Sequence, residues 1–291
     1  MPEFLTTKEL AELLRIKERK VYDLAASGEL PCSRAMGKLL FPRDAVSAWV
    51  ASHSSGYESR AVEAERPAVV LGSHDPLLEW ALREARSGLA VFLDGSLDGL
   101  ERFADGKGIA TGIHLFDPDA DDWNRVQAAA RFNDQPVVLI EWARRTRGLI
   151  TASGNPKKIT SYGDLRGRKV VPRQPESGAQ LLFEHHVVQA GLEPGDIDLV
   201  EPVRSESEAA LAVLEGKVDC AFGLACLAAQ YGLGFVPLLE ERYDLLVSRR
   251  DWFEPPFQTL LEFCQTPAFR DKAVELGGYD VTKLGRVRFN G

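Results

Sequence analysis

LIEWARRTRGLITASGNP, residues 139–156, and FVPLLEERYDLLVSRR, residues 235–250, are the two stretches on which the reading of this chain turns. Each reads as a single strand far longer than the roughly 5–6 residues usual in a sheet. Around them, short apolar runs alternate with helical spacing. AVVLG (68–72) leads to a helix from Pro76, and LAVFLDG (89–95) to one from about Leu97. GIATGIHL (108–115) precedes a helix near Trp123 to Ala130, KVVPR (169–173) one from Gly178 to Ala190, and IDLVEPV (197–203) one from Glu206 to Glu215; DCAFGL (219–224) follows as a further strand. Repeated strand-helix order implies an open, mainly parallel α/β sheet with helices on both faces. A chain that crosses between two lobes and returns needs two long strands. Lobe one is therefore expected at about 67–145 and 243–291, and lobe two at about 146–242.

Ligands of such sheets sit beyond the C-terminal ends of the strands, where helices begin. Three of these turns carry capping chemistry: Asp75-Pro76 reads as N-cap and N1 proline, Ser96 as the cap of a helix from Leu97, and Ser177-Gly178 as the opening of another. Helix starts expose unpaired N–H groups and carry partial positive charge, so several converging on one cleft make an anion site. Ser73, Ser96 and Ser177 add hydroxyls, and His114 either adds a ring N–H or is a hydrogen-bonded structural residue. Arg173, in VVPRQPESGAQ, offers a fork suited to an oxyanion if it faces inward, and a salt bridge to a nearby carboxylate otherwise. Tyr243 either closes over the site or packs the hinge.

The first fifty residues read differently. Thr7 reads as the N-cap for KELAELL, whose Leu10, Ala11, Leu13 and Leu14 form an apolar face. After a break at Arg15–Lys17, ERKVYDLAASG turns Val21, Leu24 and Ala25 inward and stops at Gly28. ELPCSRAMGKLLFP then alternates about Gly37 like a small hairpin, and Asp44 to Val50 gives a short third helix. Residues 51–66, ASHSSGYESRAVEAER, have the composition of a solvated connector. The first fifty residues hold 8 Lys and Arg against 7 Asp and Glu, while the rest holds 27 against 36, so nucleic-acid contact belongs at this end.

Composition narrows the classes further. At 291 residues and 45% hydrophobic content, two or three globular units are expected. No apolar run approaches the roughly 18 residues of a membrane span, and the N-terminus lacks the basic and apolar regions of an export signal, so a cytoplasmic protein with no membrane partner is expected. Cys32, Cys220, Cys226 and Cys264 show neither C-x-x-C nor paired His spacing, so buried thiols are expected rather than a metal site. Adjacent His185 and His186 lack an i, i+4 partner, no nucleophile-elbow, phosphate-loop or dinucleotide motif occurs, and no cofactor or enzymatic activity is expected.

FLTTKELAELL, VYDLAASGELP, the glycine-centred GK turn and FPRDAVSAWV together resemble the excisionase-type, MerR-like winged helix-turn-helix family over residues 3–50. That resemblance implies binding of double-stranded DNA. Glu18, Arg19, Lys20 and Tyr22 would face the major groove, with Arg34 and Lys38 reaching from the wing to the backbone or minor groove. A homodimer is expected as well, because one short recognition helix contacts few bases and two half-sites supply the rest. Arg15 stands where the family has a small residue, and Lys17 where a Ser or Thr cap is usual. GSHDP, FLDGSLDGL, GIHLFDP, GLITASGNP, RQPESGAQ and EERYDLL, in this order, resemble the periplasmic-binding-protein-like (type II) domain over residues 67–285, in the molybdate-binding-like subgroup fused to DNA-binding modules in bacterial regulators. This implies a two-lobed sensor of a small oxyanion such as molybdate or tungstate. His74, Asp75, Gln174 and Gly178 join the candidate ligand residues through their places in these motifs; Ala179 and Gln180 stand where the family often has Thr-Arg. A different class also fits: a small-molecule-binding or protein-interaction module that leaves DNA untouched and takes a small organic anion.

Overall fold

The computed structural model describes residues 4–35, 37–52, 65–193 and 195–291. Most of the expected connector, 53–64, along with residues 1–3 and Met36 beside the expected hairpin turn, lies outside these residues. The chain divides after Glu65 into two compact units.

In the first unit, β1 (Phe4–Thr6), β2 (Ser33–Ala35) and β3 (Lys38–Pro42) form an antiparallel sheet in the order β1-β3-β2. Against it pack α1 (Thr7–Leu14), α2 (Glu18–Ala26) and α3 (Arg43–Ser52), through a core of Leu5, Leu10, Val21, Leu24, Leu30, Phe41 and Val46. The cap of α1 is Thr6, one residue earlier than expected. Glu9 lies three residues beyond it, so the two side chains close a reciprocal capping box. Arg15 ends α1 in the left-handed region, at φ 53°, where glycine would rest with less strain. Lys17 is the N-cap of α2 and supplies no capping bond; Gly28, at φ 77°, follows its C-terminal end.

The second unit is built on β4 (Val69–Gly72), β5 (Ala90–Phe92), β6 (Ala110–Ile113), the small pair β7 (Phe116–Asp117) and β8 (Asp122–Trp123), β9 (Val137–Thr151), β10 (Lys169–Val171), β11 (Asp198–Leu199), β12 (Cys220–Leu224), β13 (Gly234–Ser248), β14 (Tyr279–Asp280) and β15 (Val287–Asn290). Its main sheet runs β11-β10-β12-β9-β13-β6-β4-β5, with β14 and β15 also paired to β9. The sheet is mixed rather than mainly parallel. β4, β5 and β6 are parallel, as are β10, β11 and β12, but the two fifteen-residue crossings β9 and β13 are antiparallel to each other and to their neighbours. Nearly all of β9 is buried on both faces, so its apolar ends, VVLI and GLI, show no alternation, and Glu141, Arg145 and Arg147 between them are buried too. Pro237 cannot donate to the ladder, and the β13 register shifts there; it shifts again between Tyr243 and Asp244, where lobe one was expected to resume.

Helices cover both faces in each lobe. In lobe one, α4 (Pro76–Ala85), α10 (Arg249–Trp252), α11 (Pro255–Cys264) and α12 (Pro267–Leu276) share a core with Trp142 and Leu245, while α5 (Ser96–Ala104) and α6 (Arg125–Phe132) pack Phe103 and Phe132 opposite. In lobe two, α8 (Glu206–Leu214) and α9 (Ala225–Gln230) bury Ala209, Val213 and Leu227, and α7 (Gly178–Gln189) buries Leu182 and Phe183 on the other side. Each wholly buried Leu or Phe contributes roughly 1.5–3 kcal/mol, so both lobes have cores able to hold their strand ends in place. All four cysteines are free; three are buried and Cys32 is half-buried. Among the described residues no helix is long and apolar enough to cross a membrane.

Candidate functional site

Two glycines bring the strand ends of lobe one together. A Cβ on Gly99 would lie 2.3 Å from the Gly72 Cα, so α5 seats directly on the end of β4. Gly72 itself sits at φ 102°, with its own Cβ position 2.1 Å from the Gly112 carbonyl. The result is a contact between Ser73 and Ser96, hydroxyl to hydroxyl at 2.7 Å, with Ser96 Oγ also accepting from the His114 amide at 3.2 Å. Ser96 is thus not a cap. Gly95 takes that place at φ 118°, and Ser96 is the first helical residue, turned to its neighbours.

The start of α7 arrives from lobe two. Ser177 is its N-cap, buried, with a hydroxyl that makes no capping bond. Gly178 lies so close to lobe one that a Cβ would stand 2.7 Å from the His114 carbonyl and 3.1 Å from Ser96 Oγ. Ser73, Ser96, His114, Ser177 and Gly178 are therefore gathered at one point, with the unpaired first amides of α5 and α7.

Other expected ligand residues are engaged elsewhere. Asp75 caps α4 through the Leu78 amide and receives Trp142, Arg145 and Tyr279 as well, so both carboxylate oxygens are saturated. His74 bonds Glu79 at 2.9 Å and faces a separate cavity of about 520 Å³ bordered by Trp80, Ser207, Cys226 and Lys272. Arg173 is inward, but its fork is occupied: Nε donates to the Val203 carbonyl, Nη2 to that of Arg204, and Nη1 lies 3.2 Å from Glu206. Gln180, in the family's arginine position, accepts the Arg173 amide at 2.9 Å and fixes that turn. Gln174 faces the Asp94 carbonyl at the rim. Tyr243 packs the hinge, its hydroxyl donating to the Ser73 carbonyl at 2.5 Å and its ring stacked on His114. His114 does not offer Nδ1 to the cleft, because that nitrogen faces Glu241 at 3.1 Å.

The cations of the cleft floor are Arg145 and Arg147, which the sequence reading left unassigned. They stand two apart on β9 and so share one face of the strand, both almost wholly buried. Arg145 pairs with Asp75 (3.0 Å) and Glu241 (2.5 Å), Arg147 with Glu241 (2.8 Å) and Glu206 (2.8 Å). With Arg173 beyond Glu206, the floor is an alternating row: Asp75, Arg145, Glu241, Arg147, Glu206, Arg173. Burial alone would raise the Glu206 pKa, but Arg147 and then Arg173 outweigh it and hold the group at about 2. Burial is likewise outweighed at Glu241, where Arg145 and Arg147 keep the carboxyl ionised well below its usual range. Arg147 Nη1 and the Tyr162 hydroxyl are buried without a hydrogen-bond partner. The legible signal was the i, i+2 spacing of two arginines inside a strand otherwise buried on both faces.

At the rim, Arg204 of lobe two reaches Asp94 of lobe one at 3.1 Å. In the first unit, Glu18, Arg19, Lys20 and Tyr22 are exposed on α2, and Arg34 and Lys38 are exposed on the β2–β3 hairpin. Among the described residues, no ion pair or side-chain hydrogen bond engages Arg19, Lys20, Arg34 or Lys38.

A Bacillus subtilis (strain 168) relative, the uncharacterized protein YvgK, is 24% identical over 97% of this chain and 96% of its own length. An uncharacterized Clostridium pasteurianum protein from the 5′ region of the ferredoxin 2Fe-2S gene is 29% identical over 109 residues, covering 37% of this chain and 96% of its own. Among solved structures, a putative phosphate ABC transporter substrate-binding protein with bound phosphate, from Clostridium perfringens, superposes with a TM-score of 0.52 at 11% identity, covering 74% of this chain and 99% of that one. The fold is that of an N-terminal helix-turn-helix followed by a periplasmic-binding-protein-like α/β domain. A helix-turn-helix domain model matches residues 4–54 and the PBP superfamily domain matches residues 79–265, and by the latter match the chain belongs to the PBP superfamily.

Proposed function

We propose that this protein is a one-component transcriptional regulator of the cytoplasm, in which a small tetrahedral oxyanion bound between the lobes alters the DNA affinity of the helix-turn-helix unit. The observation that carries this reading is the meeting of Ser73, Ser96 and the starts of α5 and α7 at His114. Hydroxyls and helix-start amides are donors suited to an anion, and the charged floor behind them is already balanced. Such a set of donors takes an oxyanion without an added countercharge, and molybdate and tungstate are the members the sequence resemblance favours. The role is binding without chemistry. Ligand that prefers the closed lobes shifts an open–closed equilibrium, and its differential affinity sets how far DNA binding moves. A homodimer would present two recognition helices to half-sites about 34–36 Å apart.

Calorimetry on the full chain with molybdate, tungstate, sulfate and phosphate tests the reading. Binding tighter than millimolar, with the ligand recovered unchanged, supports it; no binding by any of the four overturns it. Small carboxylates belong in the same screen, to test the organic-anion alternative.

A further inference from the structure

His114 lies where the proposed ligand would sit, and its surroundings fix which nitrogen carries a proton. Glu241 and Tyr243 face it from β13, Arg145 and Arg147 from β9, Ser96 from α5, and the positive end of α7 from lobe two. The Glu241 carboxylate, paired with two arginines, is ionised and can only accept, so Nδ1 carries the hydrogen in their 3.1 Å contact. Nε2 then holds a lone pair. Among the described residues it makes no hydrogen bond, and the ring's Cε1 lies 3.2 Å from the position of a Cβ on Gly178, so this edge faces the start of α7. Burial, reinforced by Arg145 and Arg147 against the pull of Glu241, lowers the pKa of the ring and keeps it neutral near pH 7.

A lone pair is an odd thing to present to an anion. The serine hydroxyls and helix-start amides gathered there can donate, whereas an unprotonated Nε2 would repel an oxygen that bears no hydrogen. We propose that His114 sets the proton count of the bound state, with one proton shared between Nε2 and a ligand oxygen. A fully deprotonated oxyanion such as molybdate or sulfate therefore binds together with one proton drawn from solvent, which converts the ring to imidazolium beside Glu241. An anion that carries its own hydrogen, such as hydrogen phosphate, donates it to Nε2 and needs none. His114 is a specificity-determining residue in this scheme, which rests on the oxyanion reading above.

Calorimetry of the full chain with sodium molybdate, in buffers of different ionisation enthalpy, tests it between about pH 6.5 and about pH 8.5. The expected result is uptake of about one proton per ligand and an affinity that weakens about tenfold per pH unit. Hydrogen phosphate, measured near the upper end of that range, takes up far less. His114→Gln, which cannot titrate, binds molybdate with no such slope, and His74→Gln keeps it. Molybdate or sulfate binding that stays flat with pH and takes up no proton overturns the assignment while leaving the oxyanion site standing. Failure of every oxyanion to bind overturns both, and the wild-type measurement decides even if His114→Gln does not fold.

Discussion

Arg147 on β9 donates through Nη2 to Glu206 Oε1 at 2.8 Å, and Arg173 approaches the same oxygen from the other side at 3.2 Å. The contact ties the crossing strand to the first residue of α8, in a place with almost no solvent. Breaking one partner of a buried pair leaves the other charge uncompensated, at a cost of roughly 3–5 kcal/mol. Glu206→Ala should therefore unfold at markedly lower urea, and Glu206→Gln, which keeps an acceptor, should lose less. A loss under about 1 kcal/mol for the alanine variant would show that water reaches this row.

The same row makes the protein acid-sensitive. Glu206 and Glu241 have folded pKa values below their unfolded ones, so their stabilisation is complete above about pH 4.5 and fades as pH falls toward about 2. His114 adds to this at higher pH. Its folded pKa is also lowered, so the unfolded chain gains a proton first and stability declines once pH drops below about 6.5. Thermal melts should show both falls, and His114→Gln should shrink the upper one without moving the lower, the rest of the upper fall belonging to His186, whose pKa burial also lowers.

What the sequence revealed and what it hid follow from the range of the forces involved. Strand ends, helix starts and the two crossings were legible because periodicity and capping are local; Asp75-Pro76 opens α4 as read. Ser73 and Ser96 meet because each follows a strand of one sheet. Which polar groups were already engaged was not legible, since Glu206 meets Arg147 across 59 residues and Glu241 meets His114 across 127. Arg173 and Tyr243 are inward residues whose donors the fold had occupied. Arg145 and Arg147 escaped notice because a cation in a strand looks like surface until both its faces are found covered.

Gly178→Ala separates closure from stability. The added methyl would strike the His114 carbonyl and Ser96 Oγ of the opposite lobe, at 2.7 and 3.1 Å, while alanine suits a helix better than glycine. The lobes can part slightly to relieve it. The variant should melt near the parent yet bind oxyanion at least tenfold more weakly, with a larger radius of gyration by solution scattering. An unchanged affinity would place the ligand away from the start of α7.

Arg19 and Lys20 stand on the exposed face of α2 while Val21, Leu24 and Ala25 fill the core beneath, so their side chains can be removed without touching the packing. No acidic partner holds either one among the described residues, which leaves both free to neutralise phosphates. If they do so, each contact releases counterions, and the logarithm of DNA affinity should fall with the logarithm of salt at about −0.9 per phosphate. Replacing both by Ala should weaken binding to the operator and make that slope shallower by about two units per protomer, with the melting temperature unchanged. Gel shift or fluorescence anisotropy across a salt series reads both quantities. Operator affinity equal to the parent's, with the same salt slope, would exclude α2 from the DNA interface and favour a protein partner for this unit.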